Sequence, residues 1–153
     1  MAWERPSATD VKVEFHSGVA EPLGHTCRLL RKAHAAGARV VVQGPPALLD
    51  QLDLALWTFD ALSFVPHLRL RGAGRPTAAQ ARTPTWLVDD VAAVADREVL
   101  VHLGPDMVEG WEDFGRIIEV VSADASAAAR QRWRRYAERP GVELVHHAAG
   151  ATP

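Results

Sequence analysis

The sequence has a single cysteine, Cys27, among its 153 residues. No disulfide can form within the chain, and this is typical of a protein from a reducing compartment. No apolar run approaches the roughly 20 residues that a membrane-spanning helix needs. The first residues also lack the apolar core of a secretory signal. We therefore expect a cytoplasmic protein with no membrane segment.

The glycine patterns that hold nucleotide phosphates are also missing. Residues 17–21, which follow the first apolar stretch, lack the spaced glycines of a dinucleotide site. Gly72 and Gly74 have no third glycine after them, and the turn at Gly44 lacks the Gly-Lys-Ser/Thr ending of a phosphate loop. A nucleotide-binding enzyme domain is the alternative reading, and it rests on analogy of fold alone.

Residues that could form a catalytic or metal site are few and scattered. His146 and His147 are adjacent, so on a strand they point to opposite faces, and no carboxylate or cysteine cluster stands beside them in the sequence. Asp89 and Asp90 follow an apolar run, where a turn or a helix cap is their expected role. No serine has a G-x-S-x-G context. We expect no catalytic residue, no metal ion and no cofactor.

What the sequence does contain is an alternation of strand and helix patterns. Strands are predicted at residues 11–15, 39–42, 85–88, 99–103, 117–121 and 142–145. Helices are predicted at 21–36, from 46 through 57, at 107–114 and from 124 to about 138. Gly37 is placed to end the first helix and Asp124 to cap the last. This alternation predicts an α/β fold: an open, mostly parallel sheet with helices on both faces.

The same pattern indicates one domain over residues 10–147. Residues 1–9 and 148–153 are expected to be flexible ends. Residues 68–83 are rich in glycine, arginine and alanine without periodicity, and we expect them to form a mobile loop.

Arginine is concentrated near the end of the chain. It supplies fifteen of the seventeen basic residues, and four of these are Arg130, Arg132, Arg134 and Arg135. At about 100° per residue, Trp133 and Tyr136 share one side of the predicted helix, with Arg130 and Arg134 beside Trp133. An apolar floor rimmed by guanidinium groups suits a peptide that ends in a hydrophobic residue with a free carboxylate. The alternative is a core tryptophan with a solvated basic face.

A second candidate surface follows the second predicted helix. Trp57 ends that helix, and Phe64 and Val65 precede Pro66, which forces an extended backbone at Val65. Aromatic and aliphatic side chains on a loop after a helix are common in protein interfaces. Alternatively, Phe64 covers the end of the core.

These segments together resemble the chi subunit family of bacterial DNA polymerase III, over residues 10–145. The resemblance lies in the order and spacing of Cys27-Arg28-Leu29-Leu30-Arg31-Lys32-Ala33, Gly37-Ala38-Arg39-Val40-Val41-Val42, Leu52-Asp53-Leu54-Ala55-Leu56-Trp57, Phe64-Val65-Pro66-His67, Phe114, Ile117-Ile118-Glu119-Val120-Val121 and Ala129-Arg130-Gln131-Arg132-Trp133-Arg134-Arg135-Tyr136. The family resemblance implies a single-domain Rossmann-like fold without a nucleotide-binding loop. It also implies a non-catalytic adaptor of the clamp-loader complex in DNA replication.

The resemblance further implies two partners and the residues that meet them. The C-terminal tail of single-stranded DNA-binding protein would bind at Arg130, Trp133, Arg134 and Val121. The psi subunit of the clamp loader, or alternatively an accessory DNA-repair helicase, would bind at Trp57, Phe64 and Pro66. Direct DNA binding through the arginines is less favoured, because the net charge of −2 offers little basic surface.

Overall fold

The computed structural model describes residues 10–58 and 64–148, and the expected flexible segments 1–9 and 149–153 lie outside these ranges. The strands are β1 (Val11–Val19), β2 (Val40–Gln43), β3 (His67–Leu70), β4 (Thr85–Val88), β5 (Val99–His102), β6 (Arg116–Ser122) and β7 (Val142–Ala148). The helices are α1 (Pro22–Ala35), α2 (Pro46–Thr58) and α3 (Ser126–Ala137), with short 3₁₀ helices at Ala78–Gln80, Val91–Ala93 and Trp111–Asp113. No described helix is long and apolar enough to cross a bilayer.

The strands form one sheet in the order β3-β4-β2-β5-β6-β1-β7, and each neighbouring pair is parallel. Helices cover both faces. Val40 and Val42 point toward α1 and α2, whereas Val41 between them points toward the α3 side. The β-branched run Val40-Val41-Val42 is therefore buried on both faces of the sheet, as is usual for the inner strands of a parallel sheet. The predicted fold class is confirmed.

Helix α1 follows its predicted boundaries closely. Pro22 lies in the first turn, where a missing backbone N–H costs nothing, and Gly37 follows the helix with a φ of 77°, a left-handed conformation that glycine adopts without strain. Cys27 lies on the buried side of α1, and this burial raises the pKa of its thiol. The free cysteine behaves as a small hydrophobic residue.

The prediction of a loop from residue 68 was wrong at its start, because His67–Leu70 is the edge strand β3. Leu68 and Leu70 alternate with His67 and Arg69 over only four residues, and ion pairs also help to hold the strand. The buried Arg69 side chain donates from Nε to Asp50 at 3.0 Å and from Nη2 to Asp89 at 2.6 Å. Because these carboxylates come from α2 and from the end of β4, the polar residue joins three elements.

Three boundary predictions also need correction. The helical segment expected at 107–114 is only the 3₁₀ helix Trp111–Asp113. Asp124 does not cap α3, because its carboxylate accepts a hydrogen bond from the Ser122 hydroxyl at 2.6 Å. Ala148, assigned to a flexible end, is the last residue of β7. Asp90, by contrast, caps the 3₁₀ helix Val91–Ala93 by accepting from the Ala92 N–H at 2.9 Å, as predicted.

Candidate peptide-binding site

A pocket of about 390 Å³ opens between α3 and the sheet edge formed by β6, β1 and β7. Its lining, which we call the α3 pocket, consists of Phe15, Ser17, Val121, Ser126, Ala129, Arg130, Trp133 and His146. The volume is at the lower end of the roughly 300–1,000 Å³ common for ligand pockets, so it suits one or two side chains. Of the residues predicted for a tail site, Arg130, Trp133 and Val121 line the pocket, and the exposed Arg134 does not.

The floor of the α3 pocket is aromatic and rigidly packed. The Phe15 ring lies edge-on to the Trp133 ring, with centroids 5.2 Å apart. It also lies edge-on to the Tyr136 ring, with centroids 5.8 Å apart. Such edge-to-face pairs are favourable beyond their area of burial. Phe15 and Tyr136 are buried, whereas Trp133 is half-buried and presents part of its ring to the pocket. The helical wheel therefore placed Trp133 and Tyr136 correctly against the sheet.

Polar groups surround this apolar floor. The exposed Arg130 side chain makes no hydrogen bond or ion pair with the part of the chain that the structure describes. Its guanidinium is therefore available for an anion. Across the pocket, His146 Nε2 and Ser17 Oγ are 2.5 Å apart. The arrangement offers an apolar slot with a free cation on one side and a polar pair on the other.

Val121 of β6 was expected in the pocket, but sequence reasoning missed the residues that β1 and β7 contribute. Phe15 of β1 is in register with His146 of β7, so both side chains share the face that α3 covers. The alternation of residues 11–15 predicted which face of the sheet Phe15 points to. His146 was also expected to face away from His147. Nothing local indicated that β7 returns beside β1, because strand pairing is a long-range property.

One arginine of the predicted cluster is not a surface residue. Arg132 is buried and donates from Nε to Glu119 at 3.1 Å and from Nη1 to the Pro105 carbonyl at 2.7 Å. The fully buried Glu119 carboxylate also accepts from His102 Nδ1 and from the Tyr136 hydroxyl, both at 2.7 Å. This buried network fixes α3 to the sheet directly behind the α3 pocket.

The buried network keeps Tyr136 protonated. Burial raises the pKa of the Tyr136 phenol, and the adjacent Glu119 charge and its hydrogen bond raise it further. The hydroxyl thus serves as a permanent donor to the carboxylate. A carboxyl group in the protein interior is stable only when hydrogen bonds satisfy it, and Glu119 receives three.

The second predicted surface forms an aromatic patch of Leu54, Trp57 and Phe64. These are the large hydrophobic side chains exposed among the described residues, at 67%, 61% and 41%. The Trp57 and Phe64 ring centroids are 4.8 Å apart. Val65 is only 2% exposed and fills the core instead, while Pro66 is exposed. Residues 59–63 of the same region lie outside the described residues.

His67 supports the aromatic patch from below. Its ring lies 5.5 Å from Trp57 and 5.7 Å from Phe64, measured between centroids. Nδ1 contacts the Val65 carbonyl at 2.7 Å, and Nε2 contacts Asp53 Oδ1 at 2.9 Å. The patch is therefore a preformed surface and not a group of freely moving side chains.

A second crevice of about 350 Å³ lies at the carboxyl ends of β2, β4 and β5, where α/β folds often bind nucleotides. Asp89, Asp90, Asp106 and Glu109 contribute four acidic side chains to its lining. Pro45 and Pro46 open α2 there, and neither can donate a backbone N–H. Because phosphates need donors and positive potential at a helix N-terminus, this lining disfavours a nucleotide.

A comparison with protein families agrees with the resemblance carried by these motifs. The family model described as DNA polymerase III chi subunit, HolC, matches residues 11–144 of the chain. The match includes every described strand and helix except the last four residues of β7. No curated protein matches the chain at a significant level.

Proposed function

This chain belongs to the DNA polymerase III chi subunit family, and on that premise we propose that it is a non-catalytic adaptor with two separate binding surfaces. In this proposal the α3 pocket binds the C-terminal tail of single-stranded DNA-binding protein, and the aromatic patch binds the psi subunit of the clamp loader. The chain would thereby couple coated single-stranded DNA to the clamp loader during replication.

The chemistry of the α3 pocket supports the first partner. A tail that ends in acidic residues, proline and phenylalanine presents one aromatic ring next to a free carboxylate. The Phe15 and Trp133 rings can desolvate the terminal ring, and the unpaired Arg130 can satisfy the carboxylate. The observation that carries this proposal is an arginine without a partner among the described residues, at the side of an apolar aromatic slot.

Fluorescence anisotropy of a labelled peptide with the acidic-Pro-Phe ending tests this assignment. We expect saturable binding to the wild-type chain and much weaker binding of a peptide that lacks only the terminal Phe. Removing that residue should weaken binding more than neutralising any one upstream Asp, because the upstream contacts are exposed and screened. An equal loss for both changes would contradict the assignment of the pocket.

The aromatic patch supports a second, independent partner. Water-exposed tryptophan and phenylalanine in contact with each other are typical of binding hot spots. The patch is made by α2 and the segment before β3, at the opposite end of the sheet order from β1 and β7. Two partners could therefore bind to one chain without sharing residues.

We expect the Phe64→Ala variant to keep the melting temperature of the wild-type chain but to lose co-purification of psi. The physical reason is that Phe64 is 41% exposed and belongs to neither hydrophobic core cluster, so its truncation leaves no cavity in the core. Differential scanning fluorimetry and co-purification of psi from co-expressing cells give the two readouts.

The neighbouring Val65→Ala variant is the matched control for this prediction. Val65 is buried, so its truncation should cost on the order of 2 kcal/mol of stability. A large fall in melting temperature for Phe64→Ala would show that Phe64 is core. Retention of psi by a stable Phe64→Ala variant would show that the interface lies elsewhere.

A further inference from the structure

A cluster of metal-binding residue types lies on the opposite face of the β1–β7 edge from the α3 pocket. His16 is in register with His147, and Glu14 precedes His16 by two positions on the same face of β1. One ligand atom from each of Glu14, His16 and His147 lies within 4.8 Å of the other two. We call these three residues the β1–β7 cluster.

One ring nitrogen of His16 has no hydrogen-bond partner. The residue is only 6% exposed, and its Nε2 has no hydrogen-bond partner, while its Nδ1 is 2.9 Å from His25 Nε2. Leaving a buried polar atom unpaired is costly, so such an atom indicates a missing ligand. With the proton on Nδ1 donated to His25, Nε2 keeps a free lone pair for a metal ion.

The protonation states suit metal binding. Burial and the nearby His25 lower the pKa of His16 to about 4. Burial also lowers the pKa of His25, with a smaller contribution from Arg28. A neutral imidazole is the form that coordinates metal ions, and these shifts favour that form.

Glu14 supplies an ionised oxygen ligand. Burial alone would raise the pKa of Glu14, but the Arg116 guanidinium, at 2.8 and 2.9 Å from the two carboxylate oxygens, outweighs this and lowers the pKa. Lys12 Nζ also contacts Oε1 at 3.3 Å, and its side chain is 31% exposed. Lys12 can therefore move away into solvent when a metal cation takes its place.

Contrary to the expectation from the sequence, we propose that Glu14, His16 and His147 bind a divalent transition-metal ion of the Zn²⁺ type, with His25 orienting His16. Two imidazoles and one carboxylate form a donor set that Zn²⁺ commonly accepts, with a fourth position left for water. Tetrahedral bonds of about 2.1 Å require ligand atoms about 3.4 Å apart. His147 is exposed near the end of β7, so it is the residue that moves inward.

Isothermal titration of Zn²⁺ into the tag-free full-length chain tests this site. We expect one ion to bind per chain, and Co²⁺ in its place to give the visible absorption of a low-coordinate complex. His147→Ala should weaken Zn²⁺ binding by at least about tenfold. Even the loss of a residue that only hydrogen-bonds to a ligand typically lowers metal affinity by about 10–100-fold. Lys12→Ala should tighten it, because a competing cation is removed.

His34→Ala is the matched control, because it removes a histidine of α1 that is not part of the β1–β7 cluster. We expect this variant to bind Zn²⁺ like the wild type. His147 is exposed, so its removal should leave the fold intact, and a melting curve verifies this. Absence of one-to-one Zn²⁺ binding, or equal affinities for wild type and His147→Ala, would overturn the proposal.

Discussion

Replacing Arg130 by alanine should weaken binding of a single-stranded DNA-binding protein tail peptide by roughly tenfold to a hundredfold. One hydrogen bond to a charged group contributes about 1.5–3 kcal/mol. Without the guanidinium, the terminal carboxylate would lie unpaired beside the Phe15 and Trp133 rings. Anisotropy with the labelled peptide measures the change directly. Trp133→Ala should weaken binding through loss of the apolar slot.

Arg135→Ala is the matched control for this effect. Arg135 is also exposed on α3 and has no hydrogen bond or ion pair within the described ranges, but it lies away from the α3 pocket. Its removal changes the net charge as Arg130→Ala does, so it corrects for long-range attraction of the acidic tail. Arg134→Ala should have an effect between the two, because Arg134 is one turn from Arg130 but outside the lining. Equal affinities for the Arg130 and Arg135 variants would show that the tail binds elsewhere.

Replacing Arg132 by alanine should instead reduce stability, by roughly 3–5 kcal/mol. The change would remove one of three donors to the buried Glu119 carboxylate and the partner of the Pro105 carbonyl. For a chain of this size, that loss corresponds to a fall of roughly 6–20 °C in melting temperature. Thermal unfolding followed by circular dichroism provides the measurement.

The comparison with Arg135→Ala is again informative, because an exposed arginine should change stability by less than about 0.5 kcal/mol. Arg132→Lys should fall between the two, since a lysine keeps the charge but cannot reproduce the two-directional contacts to Glu119 and Pro105. If Arg132→Ala and Arg135→Ala had the same melting temperature, the buried network would have no stabilising role.

The inner strands could be predicted because each one is marked by a short apolar run in the sequence itself. Residues 40–42 are a β-branched run, and burial on both faces requires such a run wherever it lies in a parallel sheet. The edge strand β3 was not predictable in this way. Its sequence, His-Leu-Arg-Leu, is held by ion pairs from Arg69 to Asp50 and Asp89, and the identity of those partners emerges only in three dimensions.

The α3 pocket was half predictable for a similar reason. Helical spacing alone placed Trp133 beside Arg130, but Phe15, Ser17 and His146 come from strands whose pairing is long-range. The burial of Arg132 was not predicted, although the sequence contains a signal for it. Glu119 interrupts an apolar strand, and a carboxylate inside such a strand needs a buried cationic partner. The wheel places Arg132 close to Tyr136, on the side that faces Glu119.

The central claim is that one chain holds both partners at once, through the α3 pocket and the aromatic patch. Surface plasmon resonance tests it with the tail peptide immobilised and purified psi in solution. We predict that psi is retained only after the wild-type chain has bound, and that Phe64→Ala binds the peptide but does not retain psi. Arg130→Ala should bind the peptide surface roughly tenfold to a hundredfold more weakly and should retain correspondingly less psi. Displacement of the chain from the peptide by psi, or retention of psi by Phe64→Ala, would contradict the account.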